Sequence, residues 1–166
     1  MKKINITEIS MAVALSFVLT FVSFFHMPHG GSITLAMVPI IQISFKRGCK
    51  SGIFTGAIVA ILKILSGTKI YHPLSIILDY ILAYGSIGIA GLFQKLNSLK
   101  MFFGVLLSFF LRFIFHVISG ATLFKNYIPI NKNPWIYSCI LNTSYLFPEL
   151  IITLIVVFAL NKIGKK

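Results

Sequence analysis

Six apolar runs fill most of the chain, at about residues 8–25, 33–45, 51–66, 73–94, 100–124 and 136–161. The connections between them read HMPHGGS, KRGCK, GTKIYH, KLNSLK and KNYIPINKNPW, and their Gly, Pro, Asn and Lys are turn and loop residues. A helix that crosses a bilayer needs about 20 residues. The second and third runs fall short of that, so their ends are expected to be irregular or shielded by neighbours. Period-two alternation is absent, which argues against a β-barrel, and neither an internal repeat nor a low-complexity tract appears. The pattern predicts an all-α integral membrane protein: a six-transmembrane-helix bundle forming a single membrane-embedded domain over residues 1–166.

The composition leaves little room for a water-soluble fold. Hydrophobic residues make up 57% and charged residues only 11%, against roughly 25% charged in soluble domains. A net charge of +12 raises nucleic acid as a partner. The charges sit at the ends of apolar runs instead of forming a stripe, so the expected partner is the lipid bilayer and not nucleic acid. The N-terminal MKKINITEISMAVALSFVLTFVSFF has a basic start but no small-residue cleavage site, and is expected to be a retained first helix. Lys2, Lys3, Lys46, Arg47, Lys50, Lys95, Lys100, Lys162, Lys165 and Lys166 fall on one side of the alternating topology, against Lys69, Lys125 and Lys132 on the other. The positive-inside rule then places both termini in the cytoplasm. Cys49 and Cys139 fall near opposite faces, without redox or metal spacing, and read as packing thiols.

The inner loops are short and basic. The outer loops and adjoining helix ends collect His26, His29, Gly30, Gly31, Tyr71, His72, Asp79, Tyr80, His116, Tyr127, Trp135, Tyr137, Asn142 and Tyr145. Polar and aromatic groups converging at one mouth of a bundle resemble a ligand pocket. Asp79 is the most telling of them. It is one of three acids, with Glu8 and Glu149, and it lies inside the apolar stretch HPLSIILDYILAYG. A carboxylate in a bilayer costs about 2.5–3.5 kcal/mol on insertion scales and should have a partner. Lys63 and Arg112 are the in-helix candidates for an ordinary ion pair. The alternative is a ligand that is cationic or has an amino group to donate, met by Asp79 with Tyr80 and Tyr84 flanking it. If Glu149 pairs with Arg112 or Lys63, Asp79 is left for the ligand.

His116 opens HVISGATLF, followed within a turn by Ser119, Gly120 and Ala121. Small residues there either let another helix approach or leave room at Gly120 for a flat ring, with His116 hydrogen-bonding it. On the sixth run, Asn142 needs partners at its depth, Tyr137 and Tyr145 return to one face, and Trp135 and Tyr137 suit an interfacial belt. Pro148 is expected to kink this run. His26 and His29 are two histidines without a carboxylate, too few for a metal site, and their loop is expected to cover the pocket mouth. No phosphate-binding loop, no H-E-x-x-H and no nucleophile motif occurs, so neither an ATPase nor another enzyme is expected.

HGGSITLAMVPI, HPLSIILDY, RFIFHVISGATLF and YSCILNTSYLFPE occur in this order and at spacings that resemble the thiamine-specific substrate-binding (S) component of energy-coupling factor (ECF) vitamin transporters. The likeness spans residues 7 to 160. It implies a thiamine pocket near the outer face of a bacterial plasma-membrane protein. It also implies docking on a transmembrane scaffold subunit driven by two cytoplasmic ATPase subunits, with thiamine as ligand and no cofactor. In that likeness Asp79 stands where the family has an acid contacting thiamine, and Tyr80, His116, Gly120, Tyr137 and Asn142 match ligand-facing positions. Two departures are visible: the family usually has glutamate at the position of Asp79, and a stacking tryptophan where this chain has Phe124. The family docks through small residues of the first helix, and Ser10 with Ala14, and Ala12 with Ser16, supply that spacing here. The competing readings are a stand-alone secondary transporter of a cationic solute, for which inverted repeats are not visible, and an S component for a different vitamin.

Overall fold

The computed structural model describes residues 6–26, 31–68, 70–94 and 97–163. Lys2, Lys3, His29, Gly30, Lys69, Lys95, Lys165 and Lys166 lie outside these residues, as does the side chain of His26. Six long helical segments occur among the described residues: α1 (Ile6–Phe21), α2 (Met37–Arg47), α3 (Cys49–Leu65), α4 (Pro73–Phe93), α5 (Ser98–Thr122) and α6 (Pro134–Ile163). Side-chain caps mark three of the starts. His72 accepts from Leu74 N at 3.1 Å just before Pro73. Asn97 accepts from Lys100 N at 3.1 Å, and Asn133 accepts from Trp135 N at 2.9 Å just before Pro134. Each such acceptor satisfies an amide that the first turn leaves unpaired, and proline tolerates the first helical position because its missing N–H would be unpaired there.

Three of the segments, α4, α5 and α6, are long and apolar enough to cross a membrane. The second and third runs form short helices, as their lengths in the sequence predict. At about 1.5 Å per residue, the 11 residues of α2 reach only about half of a 30 Å hydrocarbon layer. Burial compensates for the short length. Met37, Ile40 and Ile41 of α2 are completely enclosed, and they join Val59 of α3, Ile87 of α4, Val105 of α5 and Val157 of α6 in the main core. A short segment can sit at membrane depth when protein, not lipid, surrounds it.

A departure from the sequence expectation lies between α1 and α2. The first apolar run does not stay helical to residue 25. Ser23–His26 (β1) and Ser32–Thr34 (β2) pair as an antiparallel hairpin, too short for alternation to stand out in the sequence. The helices α3 and α4 meet backbone to backbone. A Cβ on Gly88 would run into the backbone of Gly52 and Ile53, and this small-residue contact draws the two axes together. The α5–α6 pair runs antiparallel, with Val117 against Ser138 and Arg112 against Glu149. At the opposite end, Arg47 donates twice to Glu8 at 2.6 Å, and Lys46 lies 3.1 Å from the same carboxylate. Helix α6 continues through Pro148. Cys49 and Cys139 are both free.

Candidate ligand-binding site

Asp79 lies on a π-helical stretch of α4, Ile76–Leu82. Such turns are uncommon and concentrate at functional positions. One oxygen of the carboxylate is 3.0 Å from His116 Nδ1, and the other accepts from Ser119 Oγ at 2.5 Å. His116 and Ser119 are three residues apart and so share one face of α5, which grips both oxygens from the same side. The Asp79 and His116 side chains are 18% and 13% exposed. An ionised Asp79 favours the imidazole tautomer with its proton on Nδ1, leaving Nε2 as an acceptor. His116 Nε2 is buried and has no hydrogen-bond partner among the described residues.

The remaining charges at this depth are engaged elsewhere. Arg112 donates to Glu149 at 2.8 Å with side-chain exposures of 6% and 0%. Glu149 also accepts from the hydroxyl of Thr34 at 3.1 Å and from its amide at 3.4 Å, tying β2 to α6. Lys63 donates to the Tyr84 hydroxyl at 2.8 Å, and Arg112 lies 5.5 Å from the centre of the Tyr84 ring. Among the described residues no lysine or arginine pairs with Asp79. The ordinary ion-pair reading through Lys63 or Arg112 is therefore not what forms, and Glu149 is the acid that takes the arginine.

A layer of polar groups backs His116. Asn142 is buried; its amide donates to Ser138 O at 2.9 Å, and its carbonyl accepts from the Tyr145 hydroxyl at 2.7 Å. The Tyr145 ring lies 6.2 Å from the imidazole, edge to face, and closes against Gly31 of the hairpin. Of the two readings of Gly120, a helix approach and room for a ring, the packing favours the first. A Cβ on Gly120 would collide with Ser138 Oγ, so the glycine admits the neighbouring helix.

At the same end of the bundle Tyr71, Phe124 and Tyr127 form a cluster with ring centres 6.0 to 6.3 Å apart. Tyr71 precedes α4 and Phe124 follows α5, so both rings stand beyond Asp79 toward the bundle end. Tyr80 packs on the main core instead. Tyr137 lies under Lys132, whose ammonium is 5.5 Å from the ring centre. Trp135 is 51% exposed, the placement of an interfacial anchor. His72 is used as the α4 cap. Cavities of about 790 and 380 Å³ lie among the described residues, and Asp79 and His116 line neither of these two. The first-helix pairs divide. Ser10 and Ala14 are exposed and Ala12 is half-buried, whereas Ser16 is fully buried and donates to Ala36 O at 2.5 Å. Ser16 therefore serves the bundle and is not open to a docking partner. Ser119 is the site residue that the sequence reading treats only as small; its i+3 offset from His116 is the signal that points to it.

A largely helical integral membrane protein holding an interior carboxylate that no lysine or arginine among the described residues neutralises is the class this fold and geometry define. The chain belongs to the thiamine transporter protein family (Thia_YuaJ), which it matches over residues 6–166. It is 36% identical to the thiamine transporter ThiT of Bacillus subtilis over 168 residues, covering 92% of this chain and 88% of that protein. It is 27% identical to the thiamine transporter ThiT of Lacticaseibacillus paracasei, covering 92% and 84%. Its fold is that of ThiT from Listeria monocytogenes, with a TM-score of 0.86 at 22% identity over 96% of this chain and 93% of that one. The S component of a bacterial ECF transporter superposes with a TM-score of 0.70 at 20% identity over 97% of each chain.

Proposed function

We propose that this chain is the thiamine-capturing subunit of an ECF-type uptake transporter, working without catalysis of its own. The observation that carries the reading is Asp79: an interior carboxylate held by an imidazole and a hydroxyl, while Arg112 is spent on Glu149. Thiamine brings a permanent thiazolium charge, an aminopyrimidine and a hydroxyl. Asp79 meets the charge or the amino group, His116 Nε2 accepts a hydrogen bond, and the aromatic cluster of Tyr71 and Phe124 covers a ring. Asn142 backs this site through Ser138 and Tyr145, whereas Tyr80, Gly120 and Tyr137 are ligand-facing only on the resemblance to the family, and Trp135 only as one of the aromatic groups at the outer mouth. The family and the relatives' names support thiamine as ligand, and the likeness to an S component supports delivery through a membrane scaffold with two ATPase subunits. Both termini face the cytoplasm of a bacterial plasma membrane, the arrangement the basic loops favour. Ser10 and Ala14 form the docking face.

The test is uptake into proteoliposomes. The chain alone should bind thiamine yet accumulate none, with or without an ion gradient. Adding the scaffold and ATPase subunits with ATP should start uptake. Accumulation by the chain alone under an ion gradient would establish the secondary-transporter reading instead. Competition by riboflavin or biotin at equal concentration would leave the transporter class standing and replace the vitamin.

A further inference from the structure

The cavity of about 790 Å³ lies away from Asp79, along the outer side of the α5–α6 pair. Phe103, Leu107, Phe110 and Phe113 of α5 face Phe147 and Leu150 of α6 across it. Phe103, Leu107, Phe110 and Phe147 are all exposed, so the groove opens sideways toward lipid. Its length along the membrane is informative. Phe103 to Phe113 covers ten residues of α5, about 15 Å at 1.5 Å per residue, which is half of a 30 Å hydrocarbon layer. The groove begins five residues from the first residue of α5, Ser98, and stops one turn short of His116. It therefore runs from one membrane interface to the midplane, the depth of a single leaflet.

A charge marks the interfacial end. Lys100 is exposed and sits three, seven and ten residues before Phe103, Leu107 and Phe110, on the same face of α5. Lys162, in the last turn of α6, lies at the same end of the antiparallel pair. A lysine near an interface favours an anionic headgroup by a factor of about five.

We propose that this groove holds one acyl chain of an anionic phospholipid, with the headgroup at Lys100 and the chain end near Phe113. The probe is phosphatidylglycerol brominated at mid-chain, compared with phosphatidylcholine brominated at the same carbons, in vesicles of unlabelled phosphatidylcholine. The reporter is Phe110→Trp in a Trp135→Phe background, with Phe147→Trp on the opposite wall as a second reporter should the first fail to fold. Circular dichroism and thermal unfolding confirm the fold of each variant. Quenching should give phosphatidylglycerol an association constant at least about five-fold above phosphatidylcholine, a ratio that falls by about five-fold in Lys100→Gln. Equal quenching by the two lipids, or an unchanged preference in Lys100→Gln, would overturn the proposal.

Discussion

Asp79 on α4 and His116 on α5 stand 3.0 Å apart, and the remaining imidazole nitrogen of that pair is enclosed without a partner. Two elements with little in common in sequence are joined here by a hydrogen bond that uses one end of each group. The other carboxylate oxygen goes to Ser119. The pair is thus fixed in place and keeps one acceptor in reserve. Burying an acceptor with no donor is costly, and a ligand donor would relieve that cost.

Lengthening the carboxylate tests how closely the ligand must approach. Asp79→Glu keeps the charge and extends it by one methylene, so thiamine binding should persist within about ten-fold of the parent. Isothermal titration calorimetry reads this directly. Loss of binding as deep as that of a neutral replacement would show that position, and not charge, sets the affinity.

The Arg112–Glu149 pair predicts a stability effect distinct from ligand binding. Removing one partner leaves an uncompensated buried charge and costs about 3–5 kcal/mol. Glu149→Gln should therefore lower the unfolding temperature of detergent-purified protein sharply. Arg112→Met combined with Glu149→Leu should recover most of the loss, because two apolar groups leave no charge stranded. A single variant as stable as the parent would show that the pair holds nothing together.

Gly120 makes a packing prediction. Gly120→Ala places a methyl against Ser138 Oγ, and overpacking of this kind costs about 1–3 kcal/mol. Adding Ser138→Gly removes the colliding atoms and should restore part of the thermal stability. If Gly120→Ala melts like the parent, α5 and α6 are not in contact there.

Phe124 gives a gain-of-affinity prediction. Tryptophan presents a stronger face to a cation than phenylalanine, and an exposed cation–π contact is worth about 0.5–1 kcal/mol in all. Phe124→Trp should tighten thiamine binding by a part of that, about two-fold, in an equilibrium titration. Unchanged affinity would place the Tyr71–Phe124–Tyr127 cluster outside ligand contact.

The exposed face of α1 separates binding from transport. Ala14→Leu enlarges a side chain directed away from the core, so thiamine binding should stay within two-fold while uptake with the partner subunits falls at least ten-fold. Undiminished uptake would move the docking surface off this face.

The placement of charges in apolar runs is enough to read the helical class and the extent of α3, α4, α5 and α6 to within about two residues, and it singles out Asp79 as an interior carboxylate. It is enough because membrane depth makes each charged residue conspicuous. The Arg112–Glu149 pairing was foreseeable for the same reason: few partners exist at that depth. What stayed illegible depends on close packing between distant segments. Gly120 against Ser138 and Tyr145 against Gly31 depend on how helices approach, which residue spacing does not encode. The β1–β2 hairpin is three to four residues per strand, below the length at which alternation separates from chance. Ser16 shows the limit of motif reading, since small-residue spacing looks the same whether it serves the bundle or a partner.

Titration of detergent-purified protein with thiamine, comparing the parent with Asp79→Asn, bears most directly on the whole account. The parent should bind saturably, and the variant, which keeps the shape and loses the charge, should bind about 10- to 100-fold more weakly, the range expected when a charged hydrogen-bonding partner is removed. Equal affinities in the two proteins would contradict the account.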